Sequence, residues 1–464
     1  MKNQFTNSGK NKIKRAILAF VSILTIAGNS MAGVFVENGI EYSINDSQTA
    51  VVSGVSDYNK VVIPSEINVG GISYAVTEIS ETAFQNLKIN ELHIPASIKK
   101  IAQEAFHFSQ VSKLFIEDLE SWCNIDFEYS IYISHYYVNY ESYSNPIGKD
   151  TEVFIAGEKI TDLVIPAEVQ NIPDFAFTNL NCDSVSIGNG VNRIGVKAFN
   201  NSSVKTLILG NNVESINQEA FEDCLELSEI RLNDNLSSVG ALSFSNTAVK
   251  NVYIPTLESW LGIEYYTRQM GGIYSELPFG RGYDLYIGDM LAEDIVIPSG
   301  YETLNDLCFA GSSLKSVTCN EGMVNTGFFT FEGCSSLESV SFPASLERIG
   351  SIFMGCENMK TLELRGMVPP KIMYYSDELV FNLGLSYENC QLVVPEESID
   401  SYKMSEPWCY FKNIRAIGTS GIDSLTGSET NPIIYNLQGV KFDNAADLQN
   451  GIYIINGKKV VVSK

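Results

Sequence analysis

The stretch LILGNNVESINQEAF, residues 207–221, decides the fold. Leu207 and Leu209 alternate as a strand does, and Gly210 stops it. Val213, Ile216, Ala220 and Phe221 follow as inward positions. The same frame gives Ile98, Ile101, Ala105 and Phe106, and again Val191, Ile194, Ala198 and Phe199. Phe residues in this setting stand at 84, 106, 177, 199, 221, 244, 309, 331 and 353, with steps of 22, 71, 22, 22, 23, 65, 22 and 22. A second ladder tracks the first: Ile94 and Ile116; Ile165, Ile187, Leu209, Leu232 and Ile254; Ile297, Cys319, Phe342 and Leu364. A period this regular marks a solenoid. Each coil turns about six apolar side chains inward, at roughly 1.5–3 kcal/mol for each large one buried. That cannot offset the ordering of a lone coil's backbone, so a coil is stable only between neighbours. The ladder counts roughly eleven coils, one per rung.

The residue after the ladder strand is Pro64, Pro95, Pro166, Pro255, Pro298 or Pro343, and elsewhere Gly188, Gly210, Asn233 or Asn320. Pro cannot donate to a sheet, and Gly and Asn favour turns, so the strand ends at this corner. The two long steps in the Phe ladder contain one phrase twice, LESW at 119–122 and 257–260. Each copy follows a ladder strand and runs on to a Pro-Ile/Phe-Gly corner, Pro146-Ile147-Gly148 or Pro278-Phe279-Gly280. LESW therefore opens a variant coil of about 45 residues without the Ala-Phe corner. Trp122 and Trp260 are expected to fill the gap the missing Phe leaves.

The pattern IPASIKKIAQEAF (94–106), continued as FEDCLELSEIRL (221–232), resembles the bacterial leucine-rich repeats of the BspA-like (Treponema-type) class. VVIPSEINVGGISYAVTEISETAF (61–84) is similar to that family's first repeat with an extra hairpin, and LVVPEESIDSYKMSEPWCYFKNIRAI (392–417) to its closing element. The resemblance covers about residues 34–417. It implies a leucine-rich-repeat solenoid: a β-rich right-handed coil with a parallel strand stack, short turns and 3-10 segments. It also implies surface or secreted binding proteins and adhesins. The expected organisation is a signal peptide at 1–32, an N-terminal β cap at 33–62, and the solenoid at 63–417 with long coils at about 117–164 and 255–296. A linker at 418–432 and a small β C-terminal unit at 433–464 follow.

The ends carry the localisation. Lys2, Lys10, Lys12, Lys14 and Arg15 precede an apolar run, Ala16 to Gly28, too short to span comfortably. SMA at 30–32 supplies small residues for cleavage before Gly33. No integral membrane segment is expected after cleavage. GTSGIDSLTGSETNP (418–432) reads as a flexible linker. The end of the chain resembles the C-terminal sorting domains of secreted Bacteroidetes proteins, on Tyr435, Asn436, Leu437, Gln438, Gly439, Gly451, Tyr453, Gly457 and Lys458. That resemblance implies a protein secreted or held on the outer-membrane surface. Asp423-Ser424-Leu425 and Asp183-Ser184-Val185 resemble the O-glycosylation sites of that phylum.

Composition excludes several functions. Against 31 Lys+Arg stand 55 Asp+Glu, a net charge of -24, which repels phosphate backbones and anionic membranes; no nucleic-acid partner is expected. Three His and nine Cys show no zinc spacing. Cys224, Cys334 and Cys356 each stand three residues after a ladder Phe, where other coils hold Ser109, Ser202, Thr247 or Ser312. That is an inward slot for a small residue. Cys334 and Cys356 fall on adjacent coils within disulfide reach, but an odd count at ladder positions favours free buried thiols. GNGVNRIG (188–195) is a corner and a ladder neighbour rather than a dinucleotide loop. No cofactor, metal or catalytic residue is expected.

One stretch stands apart. EYSIYISHYYVNYESYSNP (128–146), in the first variant coil, carries Tyr129, Tyr132, Tyr136, Tyr137, Tyr140 and Tyr143; the second variant coil offers Tyr265, Tyr266 and Tyr274. Exposed Tyr gives contact area at low entropy cost, and aromatic faces stack on sugars. The competing reading, which the pattern favours, is that alternate Tyr pack against the solenoid as hairpin filler. The sequence thus describes an exported, non-catalytic, monomeric scaffold, adhesin-like, binding a host or matrix protein or a glycan at the cell surface. The alternative is an accessory module of a bacterial envelope complex.

Overall fold

The structure, a computed structural model, describes residues 33–45, 47–133, 138–266, 277–373, 386–418, 434–436, 441–442, 451–455 and 458–462. Residues 1–32, expected as a signal peptide, nearly all of the expected linker and the O-glycosylation-like Asp423-Ser424-Leu425 lie outside these residues, as do Leu437, Gln438, Gly439 and Gly457.

The chain winds into a parallel-strand β-solenoid with little helix. One face of each coil is the ladder strand, such as Thr206–Ile208, paired in parallel with Ser184–Ser186 before it and Glu229–Arg231 after it. A second face is a two-residue strand, such as Ser215–Ile216, stacked on Arg193–Ile194. The third is a tight turn around the Ala-Phe pair. There the amide of each Phe donates to the next coil: Phe177 to Ala198 O, Phe199 to Ala220 O and Phe221 to Ser243 O, all at 2.8 Å. Left-handed residues on either side of the Phe, Glu219 (φ 58°) and Asp223 (φ 61°), break the local chain direction and free its N–H groups to point along the stack. Gly190 shows how closely the coils approach, since a Cβ there would lie 1.8 Å from Ala167 O.

Both predicted ladders line the interior. Phe177, Phe199, Phe221 and Phe244 stack at 5.2, 5.1 and 5.4 Å, and Phe309, Phe331 and Phe353 at 5.8 Å each. The second ladder, from Ile94 to Leu364, is buried throughout. The turns number about 15 rather than eleven. The sequence ladder misses Ile155, which pairs with Ile116, and Ile287, which pairs with Ile254, and it misses Val394, which pairs with Ala416 after a step of 30 residues from Leu364.

The long sheet breaks twice. Glu152–Ile155 turns back on itself as a hairpin with Glu158–Lys159, and a new sheet starts at Asp162–Val164. Asp284–Ile287 does the same with Met290–Leu291, before a third sheet starts at Asp294–Ile297. Both breaks close a variant coil. LESW itself forms one helical turn, Leu119–Trp122 and Leu257–Leu261, capped by Asp118 Oδ1 on Ser121 N (2.7 Å) and Thr256 Oγ1 on Ser259 N (3.1 Å). Trp122 and Trp260 are buried, and in the second variant coil it is not the Trp that takes the vacant ring slot. Phe279 takes it, 5.0 Å from Phe244, and Trp260 packs beside it at 5.7 Å. The indole enters from the helix one step earlier, whereas the Pro-Phe-Gly corner brings the chain back at the ladder. Trp122 Nε1 reaches the next block, donating to Ala176 O at 3.1 Å.

The small-residue slot has a defined task. Ser202 Oγ donates to Phe177 O (3.0 Å), Cys224 Sγ to Phe199 O (3.1 Å), and Cys334 and Cys356 Sγ to Phe309 and Phe331 O (3.0 Å each). All nine Cys are free thiols, and burial pushes Cys224 up to about 12. At the C-terminal end, Ile434–Asn436 pairs antiparallel with Lys441–Phe442 and Gly451–Ile455, and the latter with Lys458–Val462. Ile434, Tyr453 and Phe442 form its small apolar centre.

Candidate binding surface

The Tyr-rich coil is a hairpin, Ser130–Ile133 against Val138–Glu141. Its base is laid down on the next block rather than projecting freely. Tyr129 packs edge-on against Tyr140 at 5.8 Å and against Phe175 at 5.3 Å. Burial, then the carboxylate of Asp174, raises the Tyr129 phenol above its ordinary value. Lys197 Nζ donates to Tyr140 O (3.0 Å) and pairs with Glu219 (2.9 Å). Asn145 Nδ2 donates to Phe175 O and Ala176 O, and Asn179 Nδ2 returns to Ile147 O. Burial, then Glu219, raises Glu222 to about 7. Of this acidic pair, Glu219 reaches the hairpin through Lys197 and Tyr140 O, while Glu222 Oε2 accepts from Asn200 Nδ2.

The nine predicted Tyr separate accordingly. Tyr129 and Tyr140 are half-buried filler that fix the hairpin. Tyr143 and Tyr266 are exposed, and Tyr266 O–H donates to Glu264 at 2.9 Å. Tyr265 must be corrected: it is 8% exposed, packed on Trp260 and Phe279, and offers no contact surface. Its strand register with Val239 turns it into the core. The side chain of Tyr132, and Tyr136, Tyr137 and Tyr274 entirely, lie outside the described residues.

Two aromatic features were not foreseen. On the solvent face of the first sheet, Val62, His93, Phe115 and Phe154 stand in register. The rings stack, His93 on Phe115 at 4.2 Å and Phe115 on Phe154 at 4.5 Å. A depression of about 400 Å³ lies at the ends of these strands, lined by His93, Pro95, Phe115, Glu117 and Gly157 among others. On the second sheet the same column reads Val164, Ser186, Ile208, Arg231, Tyr253 and Tyr286. Arg231 sits 3.9 Å over Tyr253, which stacks on Tyr286 at 4.5 Å. The signal was present, because each of these is the residue just before a ladder position. The second feature is a pile of three rings: Phe108 on His107 at 3.9 Å, and His107 on Tyr143 at 4.1 Å.

Among the described residues no group of three or more His, Cys, Asp or Glu side chains is arranged to hold a metal, and no helix is long and apolar enough to cross a membrane. A family model for the BspA type leucine rich repeat region matches in six copies over residues 64–149, 147–267 and 286–392. No curated protein matches. Solved structures similar to the chain include a leucine-rich repeat protein from Bacteroides ovatus, at 20% identity and a TM-score of 0.45, covering 82% of this chain and 99% of that one. The pneumococcal vaccine antigen PcpA matches at 19% identity and a TM-score of 0.40, with coverage of 80% and 96%. A leucine rich cell surface protein from Faecalibacterium prausnitzii matches at 16% and 0.32, with coverage of 74% and 95%.

Proposed function

Because the chain belongs to the BspA-type leucine-rich repeat family, we propose that it is an exported, non-catalytic binding scaffold, secreted or held on the outer-membrane surface, that acts as a monomer. In this reading it grips a host or matrix protein or a glycan, adhesin-like, with the tail after residue 433 serving delivery or attachment. The observation that carries the reading is the in-register column of half-buried, outward aromatic side chains, His93, Phe115 and Phe154; the exposed Tyr143 and Tyr266 of the variant coils add aromatic surface elsewhere on the molecule. A sheet face needs no aromatic column on its solvated side for stability, and apolar contact surface of this kind marks interaction sites. A rigid stack also holds these rings in place before a ligand arrives, which lowers the cost of ordering them.

The test is binding of the purified full chain to extracellular-matrix proteins and to a glycan array. Capture by at least one is expected, with loss when Phe115 and Phe154 are both replaced by Ala and the far-UV spectrum is unchanged. The reading fails if neither panel retains the parent.

A further inference from the structure

We infer that Phe108, with His107 and Tyr143 beneath it, is a stacking platform for one neutral pyranose ring of an oligosaccharide. The inference deepens the binding role proposed above and rests on it. Two residues past each ladder Phe the backbone is left-handed. That slot holds Asn86, Asn179, Asn201, Asp223, Asn246, Gly311, Gly333 and Gly355, all with positive φ. These are the residue types that tolerate the conformation. Phe108 occupies it at φ 55°. Bulky residues do enter left-handed backbone elsewhere in the molecule, but Phe175, Leu307 and Phe329 are buried there and Leu242 is half-buried, so packing compensates them. Phe108 is 74% exposed. It carries the steric penalty and recovers little burial, which is the pattern of a residue kept for contact rather than for folding.

The rest of the pile holds that ring in place. His107 lies between Phe108 and Tyr143, each tilted by 22°, and its Nδ1 is 2.5 Å from Glu104 Oε2. Tyr143 is tied at both ends of its peptide, its N donating to Gln103 O (2.8 Å) and its O accepting from Phe106 N (2.9 Å). One face of Phe108 rests on His107, which leaves its other face to solvent. A single open ring face suits the flat C–H face of a pyranose. The Glu104 carboxylate is held on His107 and Gln103 Oε1 accepts from Ser130 Oγ at 2.7 Å, so the turn beneath the pile is fixed before a sugar arrives. The net charge of -24 opposes sulfated and sialylated chains, so the ligand is neutral.

The experiment measures binding of the full chain to immobilised neutral oligosaccharides (gluco-, galacto- and N-acetylglucosamine series), with heparin and sialyllactose alongside. The parent is expected to bind at least one neutral series and neither anion. Phe108→Asn restores the residue common to this slot, so its melting temperature should hold or rise while binding falls about tenfold. Phe108→Trp should keep binding. Undiminished binding by Phe108→Asn overturns the inference, and so does a lowered melting temperature in that variant, which would make Phe108 a structural residue. Binding of matrix protein without any neutral glycan also overturns it while leaving the broader reading intact.

Discussion

Phe199→Ala probes the stacking that makes the solenoid. The ring is fully buried, with Phe177 5.2 Å away on one side and Phe221 5.1 Å on the other. Phe→Ala in a core costs about 3–5 kcal/mol, and the spread depends on how far the site can collapse. Here it cannot collapse far. The coils on both sides are held apart by the rungs Phe177 N to Ala198 O and Phe199 N to Ala220 O, both 2.8 Å. Both ring faces are lost at once, so the cost belongs in the upper half of that range, about 4–5 kcal/mol. Contacts are between neighbouring coils, so the loss stays local and a single global midpoint is the wrong measure. Native-state hydrogen exchange is the right one. The amides of Phe177, Phe199 and Phe221 should open together with a free energy reduced by this amount, while those of Val340 and Leu362 in the third sheet keep theirs. A reduction below about 1 kcal/mol, or an equal one in the third sheet, would refute nearest-neighbour stacking as the source of stability.

Three further outcomes are expected. Glu332 is 7% exposed, its Oε2 has no partner among the described residues, and burial raises it from 4.5 to about 7 against the pull of Arg281. The folded state therefore holds the proton more tightly, so its stability is full below the ordinary value and declines as pH rises through about 7; Glu332→Gln should melt higher at pH 8, by roughly 1–2 kcal/mol, with a flatter pH profile. Tyr265 buries a hydroxyl with no partner among the described residues, so Tyr265→Phe should gain about 1 kcal/mol in thermal unfolding. Asp118→Ala removes the cap on the first LESW turn and should cost about 0.5–2 kcal/mol, seen as faster exchange at the Ser121 amide.

The fold was legible because its main constraint repeats. A residue that must face a dry interior every 22 or 23 positions leaves a period, and the Phe and Ile ladders recorded it. The rungs in the variant coils escaped because Ile155 and Ile287 are followed by hairpin turns, Ala156-Gly157 and Gly288, instead of Pro. Trp122 and Trp260 were correctly placed inside, but in the second variant coil Phe279 rather than Trp260 continues the ring ladder, since sequence gives the size of a filler and not its direction of entry. The surface was less readable. Tyr265 and Tyr266 are adjacent, yet one is buried and the other exposed, a consequence of two-residue strand alternation that composition hides. Phe108 could have been found by asking which residue breaks the Asn, Asp or Gly pattern two places after the Phe. The His93–Phe115–Phe154 column could have been found by reading the outward neighbour of each rung.

The two hairpins that end the first and second sheets have a consequence for how such a molecule can change in length. Each seals its sheet with a strand running the opposite way, and the next sheet begins on its own edge. From Ile165 to Ile297 the register advances 132 residues and returns to the same corner. A duplication or deletion cut at those seals adds or removes one complete segment without stranding a sheet edge of unpaired amides, although turn contacts such as Gly282 N to Gly311 O and Ser313 N to Tyr283 O cross the seal and have to be remade. Reach can thus be lengthened or shortened in fixed increments, with the tip and the tail carried unaltered to a new separation.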